Sequence, residues 1–380
     1  MTRPLASEDL VVEVRIGTYV NTVRIAELFV DHPLTMEHGS VLSPVKAAYE
    51  TWGTLNEDAS NAVLLVHALT GDSHAASHHE TDRPGWFEGV IGKDRALDPA
   101  KWFIVCANWL GSNYGTSGPA SIDVNSGLPY GTSFPTVAVG DMSRVLKALT
   151  GRLGISKWKC IIGGSVGGMI VLDFIARFPG LVEQAIPMAT AFRASPWVIG
   201  FHEIMRRILA IGLDSGDPDL LRRSLEAARM VGIVTYRSRQ EFVSRYQRAR
   251  AELTWQDEGC LFAVESYLRY QGKKLDERFD PITYSYLTKA ADMFDLSETH
   301  GSLPQALARV RCPVRVVGID SDYLFPLSEQ EEIESEMKAA GIDAALSIIT
   351  SENGHDGFLI EFDQLNPIIS DFLGYKPTNV

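Results

Sequence analysis

The sequence predicts an α/β chain, a mostly parallel central sheet carrying a helical lid insertion. Three observations predict it. Short continuous apolar runs recur at the length of strands buried on both faces. Helical patterns separate several of them, which argues for right-handed crossovers between parallel strands. The rhythm breaks between about 196 and 300, where the chain reads helical and charged, and a strand pattern returns at Pro313.

In chain order, residues 11–30 are rich in Val and Ile and partly alternate with polar residues, which reads as one or two antiparallel strands. Buried-strand candidates follow at Ala62–His67, Trp102–Ala107, Trp158–Gly163, Ala185–Ala189, Pro313–Ile319 and Ala344–Ile349. Helical patterns run from Val139 to Leu153 and from Gly167 to Phe178. The organisation expected is a first part of the core over 1–195, an insertion over 196–300 and the last part of the core over 301–380. An insertion of this kind sits over the carboxyl edge of the strands, where ligands bind.

Composition removes several classes. The 380 residues are 45% hydrophobic and 22% charged, as in ordinary globular chains, which excludes a disordered tail, a collagen-like chain and a coiled coil. A net charge of −13 argues against a nucleic-acid binder, which needs a basic face. No run of eighteen apolar residues suggests a membrane span, and Met1–Asp9 lacks the pattern of a signal peptide, so the expected location is cytoplasmic. Of the four cysteines, Cys106, Cys160 and Cys312 lie in or beside apolar runs and read as buried free thiols of a reducing compartment; Cys260 is the fourth. No metal site is expected. His74, His78, His79 and Glu80 follow the loop formers Thr70–Ser73 with no second ligand cluster after them, and read as a solvated loop.

The chemistry centres on Gly163-Gly164-Ser165-Val166-Gly167-Gly168, a G-x-S-x-G between a strand and a helix. A nucleophile on such a tight turn needs small neighbours, because other backbone approaches closely. The turn lifts the Ser165 hydroxyl clear of the sheet and sets a helix N-terminus beside the developing oxyanion. A serine needs a base, and the base an orienting acid. With the elbow the chain order is serine, acid, histidine. Of His202, His300 and His355, the last lies just after the final strand candidate and is the expected base. Asp320 and Asp322 both follow the preceding strand, and spacing alone does not choose between them. The oxyanion donors expected are the main-chain N–H groups of Val166 and Leu69. Arg206, on an insertion helix, is a candidate clamp for a substrate carboxylate, with Arg207 equally available.

Together these motifs resemble the homoserine O-acyltransferases of the α/β-hydrolase fold, over about residues 40–373. The resemblance rests on Ala48–Gly53, His67–His74, Gly118-Pro119, Pro129–Gly131, Phe134-Pro135 and the elbow, where Val166 replaces a methionine. It continues through Val264–Leu268, Tyr270–Gly272, Arg278–Asp280, Ser321–Pro326 and Gly354–Asp356. It implies Asp322 as the acid, Arg206 as a substrate-binding arginine and Asp356 as the contact for the acceptor's amino group. It further implies ping-pong transfer from an acyl-CoA, acetyl before succinyl, with no resident cofactor. A dimer built on insertion helices and a place in amino-acid (methionine) biosynthesis follow from the same likeness.

Three departures fall around the substrate pockets. Asn113 and Tyr114 stand where the family has cysteine and a basic residue. The stretch 208–221 is shortened and lacks a matching tyrosine. His202 replaces an asparagine. They leave open L-serine or another hydroxylated metabolite as acceptor. An esterase or thioesterase, with water as acceptor, is the second class. A binding protein that has kept the fold is the third, and the complete triad argues against it.

Overall fold

A computed structural model describes residues 9–250 and 262–375. Its strands are β1 (Leu10–Ile16), β2 (Tyr19–Leu28), the short hairpin β3 (Leu34–Thr35) and β4 (Val41–Leu42), and β5 (Val45–Trp52). Then come β6 (Ala62–Val66), β7 (Phe103–Ala107), β8 (Cys160–Gly164), β9 (Ala185–Met188), β10 (Val314–Ile319) and β11 (Ala344–Ile349). Nine of them form one sheet in the order β1-β2-β5-β7-β6-β8-β9-β10-β11. From β7 to β11 every neighbouring pair is parallel, and β1, β2 and β5 extend the edge as antiparallel strands.

The central strands are buried because they are apolar without alternation. Every residue of β6, β7 and β8 is buried, and each large aliphatic side chain there contributes about 1.5–3 kcal/mol. Helices α1 (Val139–Arg152) and α2 (Val166–Arg177) pack on one another against the sheet. After β9 come α3 (Pro196–Ser215), α4 (Pro218–Tyr236), α5 (Arg239–Tyr246), α6 (Ala263–Asp276), α7 (Pro281–Asp292), α8 (Leu296–His300) and α9 (Leu303–Leu307). Proline at the first turn with Ser195, Asp217 or Asp280 as N-cap starts α3, α4 and α7 sharply. Finally α10 (Leu327–Ala339) joins β10 to β11, and α11 (Phe362–Leu373) closes the chain.

Each apolar run named as a strand candidate is a strand, within two residues at either end. Cys106, Cys160 and Cys312 are buried and free, and burial pushes the Cys312 thiol up to about 12; Cys260 lies outside the described residues. Two features differ from expectation. β5 was not read as a strand, because Lys46, Glu50 and Thr51 break its apolar character. And residues 73–76 are buried rather than part of a solvated loop, while His78, His79 and Glu80 are exposed as expected. His74 is buried and hydrogen-bonded to Glu50, a strand residue 24 positions earlier in the chain.

Candidate active site

Ser165 sits between β8 and α2 with φ 58° and ψ −126°, a left-handed conformation that a serine adopts at a cost of about 1–3 kcal/mol. Its N–H donates to the Met188 carbonyl at 2.9 Å, which anchors the turn to β9. Glycine is required on both sides. A Cβ on Gly167 would come within 2.4 Å of the Val66 carbonyl oxygen, and one on Gly163 within 2.6 Å of the Gly167 oxygen. A Cβ on Gly164 would lie 2.4 Å from the Phe358 ring. The elbow is therefore wedged against the end of β6 on one side and the segment of His355 on the other.

The wedge aligns two amides. Val166 opens α2, so its N–H has no partner within the helix. Leu69 lies in the turn closed by Gly71 N–H donating to the Ala68 carbonyl at 2.8 Å, and its own N–H makes no backbone hydrogen bond among the described residues. The Thr70 carbonyl takes a hydrogen bond from Arg278 at 2.9 Å, and Arg278 also donates to the Tyr114 hydroxyl at 3.1 Å. Tyr114, one of the departures noted in the sequence, thus braces the Leu69 turn through Arg278.

His355 and Asp322 meet on the opposite side. His355 Nδ1 is 2.6 Å from Asp322 Oδ2, and both side chains are buried. The other Asp322 oxygen accepts the Leu324 and Phe325 amides at 2.9 and 3.0 Å. Asp320 is exposed and accepts the Ser351 amide at 3.0 Å, tying the ends of β10 and β11 together. The imidazole is packed by Phe325, stacked at 5.3 Å, and by the edge of Phe358 at 5.7 Å. Burial disfavours the charged ring, but the Asp322 carboxylate outweighs it and holds the His355 pKa above its ordinary value.

The end of α4 closes this side. Gly354 has φ 65°, and a Cβ there would lie 2.6 Å from the Ser238 nitrogen. The Tyr323 hydroxyl donates to the Val234 carbonyl, and the Ser238 hydroxyl to the Glu352 carbonyl. Asp356 is 3.0 Å from Arg237 Nε. Burial raises the Asp356 pKa, while the charges of Arg237, His355 and Arg229 pull the other way.

Arg206 is not brought to this site. Its guanidinium is 2.6 Å from Asp292 and 3.2 Å from Glu203, and His202 holds the same Asp292 at 2.6 Å. The cavity beside it is lined by Val137, Tyr286 and Lys289 rather than by triad residues. The reason is local: Asp292 at the end of α7 faces this part of α3 and neutralises the arginine there. Besides Arg237, paired with Asp356, Arg229 on α4 approaches the His355 side. It lies 5.3 Å over the Tyr236 ring, whose centroid is 6.1 Å from that of His355, and its Nε is buried without a hydrogen-bond partner. Arg229 lines a cavity of about 780 Å³ with Ala68, Thr70, Trp86 and Leu359. Arg229 and Tyr236 are seven residues apart, hence on one helix face, and that spacing was the available signal. Tyr236 also supplies a tyrosine near the base where the shortened 208–221 stretch supplies none.

A serine on a strained elbow, two free amides and a buried imidazole–carboxylate pair define a nucleophilic acyl-transfer site on an α/β-hydrolase scaffold. The model of the alpha/beta hydrolase fold family matches residues 61–362. The homoserine O-acetyltransferase of Deferribacter desulfuricans is 44% identical over 347 residues, covering 89% of this chain and 92% of its own. That of Methanosphaerula palustris is 43% identical over 351 residues, covering 90% of this chain and 71% of its own. Among solved structures, esterase E22 superposes with a TM-score of 0.84 at 25% identity, over 92% of this chain and 99% of that one. A homoserine O-acetyltransferase from Bacillus anthracis gives 0.83 at 24%, over 94% and 99%, and speaks for the fold alone. The chain belongs to the homoserine O-acetyltransferase family of the α/β-hydrolase fold.

Proposed function

We propose that the protein is an O-acyltransferase that moves an acetyl group from acetyl-CoA to the hydroxyl of L-homoserine. One observation carries the choice of acceptor. Arg229 and Asp356, the latter shared with Arg237, bring opposite charges to the neighbourhood of His355, and Arg229 Nε has no hydrogen-bond partner. A zwitterionic amino acid has a carboxylate for the first and an ammonium for the second.

Ser165 attacks the thioester carbonyl and loses its proton to His355 Nε2, while Asp322 keeps the opposite ring nitrogen protonated. The Leu69 and Val166 amides take the oxyanion. As it collapses, CoA leaves as the thiol with the proton from His355, and the acyl group remains on Ser165. The acceptor hydroxyl then gives its proton to His355 and attacks the acyl-enzyme; the ester bond to Ser165 breaks, Ser165 takes the proton back from His355, and the O-acetyl ester leaves. The donor's phosphates find a basic rim on a chain of net charge −13: Arg83, Lys273, Lys274 and Arg278 line the same cavity as Arg229.

Trp197, Ile204 and Ile211 recur at seven-residue spacing on α3, each at least half exposed. This stripe supports a homodimer built on α3, and Ile204→Glu should yield monomers by light scattering.

The likeness to esterase E22 favours a second reading, with water as acceptor. CoA release from acetyl-CoA, measured with no amino acid, with L-homoserine and with L-serine, separates the readings. Release dependent on homoserine, with O-acetylhomoserine formed, is the expected result. Equal release without any amino acid would replace the transferase with a hydrolase. Dependence on serine alone would change the acceptor, and activity only with succinyl-CoA the donor.

A further inference from the structure

Away from the triad, β5 and the segment after the Leu69 turn bring three donor atoms together. His74 Nδ1 is 2.8 Å from Glu50 Oε2, and His78 Nε2 is 2.9 Å from the same oxygen. All three lie within 4.8 Å of one another.

The second ring nitrogen of His74 decides what lies between them. Nε2 is 2.8 Å from the Arg83 carbonyl oxygen. A carbonyl only accepts, so Nε2 carries a proton. In the neutral ring Nδ1 then presents a lone pair, and Glu50 Oε2 faces it with another. Two acceptors at this separation need something positive between them, either a second ring proton or a metal ion. A proton satisfies one nitrogen and one oxygen. Two protons would be needed to join both rings to Glu50 Oε2, whereas one metal ion takes the lone pairs of all three donors at a single point.

We propose that Glu50, His74 and His78 form a binding site for a divalent transition metal of the zinc class. Two imidazoles and one carboxylate are a zinc donor set, with the fourth position left to water. The outer partners a metal ligand needs are present. His74 donates Nε2–H to a backbone carbonyl, and Ser73 donates its hydroxyl to Glu50 Oε1 at 2.9 Å. The His78 ring lies flat on Trp52 at 4.8 Å and 2°, which fixes its orientation. A cavity of about 340 Å³, lined by Asn21, Tyr49 and Asp82 among others, borders all three ligands and gives water and metal a way in. Zinc bonds of about 2.1 Å put tetrahedral ligands about 3.4 Å apart, so the two His–Glu contacts open by roughly half an ångström on binding. His74 follows Leu69 by five residues, so the ion would clamp the oxyanion segment to β5.

The test uses the full-length chain, stripped with a chelator and titrated calorimetrically with ZnCl2 and, separately, with CoCl2 followed in the visible. The proposal expects one equivalent of zinc, a Tm raised by about 3 °C at a hundredfold excess over Kd, and the strong visible absorption of four-coordinate cobalt. His78 is the most exposed of the three ligands, so His78→Ala should fold, and it should weaken zinc binding at least a hundredfold. Absence of a stoichiometric zinc equivalent in the wild type would overturn the site, as would an unchanged Kd in His78→Ala.

Discussion

Replacing Asp322 by asparagine should cost about four orders of magnitude in turnover while leaving the chain folded. The carboxylate has two jobs on two oxygens. Oδ1 accepts the Leu324 and Phe325 amides, and Oδ2 faces His355 Nδ1 at 2.6 Å. Asparagine has one oxygen and one NH2, and two backbone donors demand the oxygen. The NH2 must then point at Nδ1, which can meet it only as an acceptor. The ring proton moves to Nε2, the atom needed to take the proton from Ser165. In a Ser-His-Asp triad the same substitution lowers kcat about 10⁴-fold, which is about 5.5 kcal/mol of barrier. The assay is CoA release at saturating acetyl-CoA and acceptor, with a melting curve as the control for folding. The pH profile gives a second readout. The reactive base is neutral His355, and Asp322 holds its pKa up, so activity of the wild type should rise with pH through a midpoint above the ordinary histidine value. Loss of the carboxylate should move the residual midpoint down. An Asp322→Asn enzyme within tenfold of wild type, or with an unmoved midpoint, would refute the orienting role.

Gly164→Ala puts a methyl group 2.4 Å from the buried Phe358 ring. A loss of about 1–3 kcal/mol in denaturant unfolding is expected, with activity falling further because Phe358 packs on His355; full activity at unchanged stability would contradict the wedge. Arg229→Ala should lower kcat/KM for the acceptor about a hundredfold, the value of a charged hydrogen bond of roughly 1.5–3 kcal/mol. Arg206→Ala should instead act on stability, since it leaves buried Asp292 with His202 as its remaining partner. Acceptor kinetics of the two variants that came out reversed would restore Arg206 to the site. Burial, with the charge of Asp322 nearby, pushes Glu329 up to about 7. Its folded form therefore holds a proton that the unfolded chain has already released above about pH 4.5. Stability from this group is full below that pH and is lost as pH rises toward 7. Glu329→Gln should gain about 1 kcal/mol relative to wild type between pH 4 and pH 8, after allowance for solvent screening; urea melts at the two pH values give the sign.

The sheet was legible because its inner strands are covered on both faces, and such strands are apolar without interruption. The elbow was legible because its constraint is steric and local: four glycines and a serine carry it in six residues. What stayed hidden depends on residues that approach only in three dimensions. Asp320 and Asp322 are equivalent by spacing, and the imidazole separates them. Arg206 and Arg229 are both insertion arginines, and the counter-charge at Asp292 sends one away from the base. β5 was concealed by Glu50, whose polarity is tolerated at 3% exposure because Ser73, His74 and His78 converge on it. The burial of His74 was hidden because Thr70–Ser73 before it are loop formers and its partner Glu50 lies 24 residues away.

The junction at the end of α4 bears on how such enzymes diversify. Val234, Tyr236 and Ser238 touch Tyr323, Glu352 and Gly354 through main-chain atoms or hydroxyls. The end of α4 is thus fastened to the segments on both sides of the His355–Asp322 pair. Transplanting residues 196–300 from a relative replaces one half of a fitted joint, so a chimera keeps its catalytic geometry only when residues 321–325 and 351–356 travel with the graft. Selectivity and chemistry are inherited here as one block.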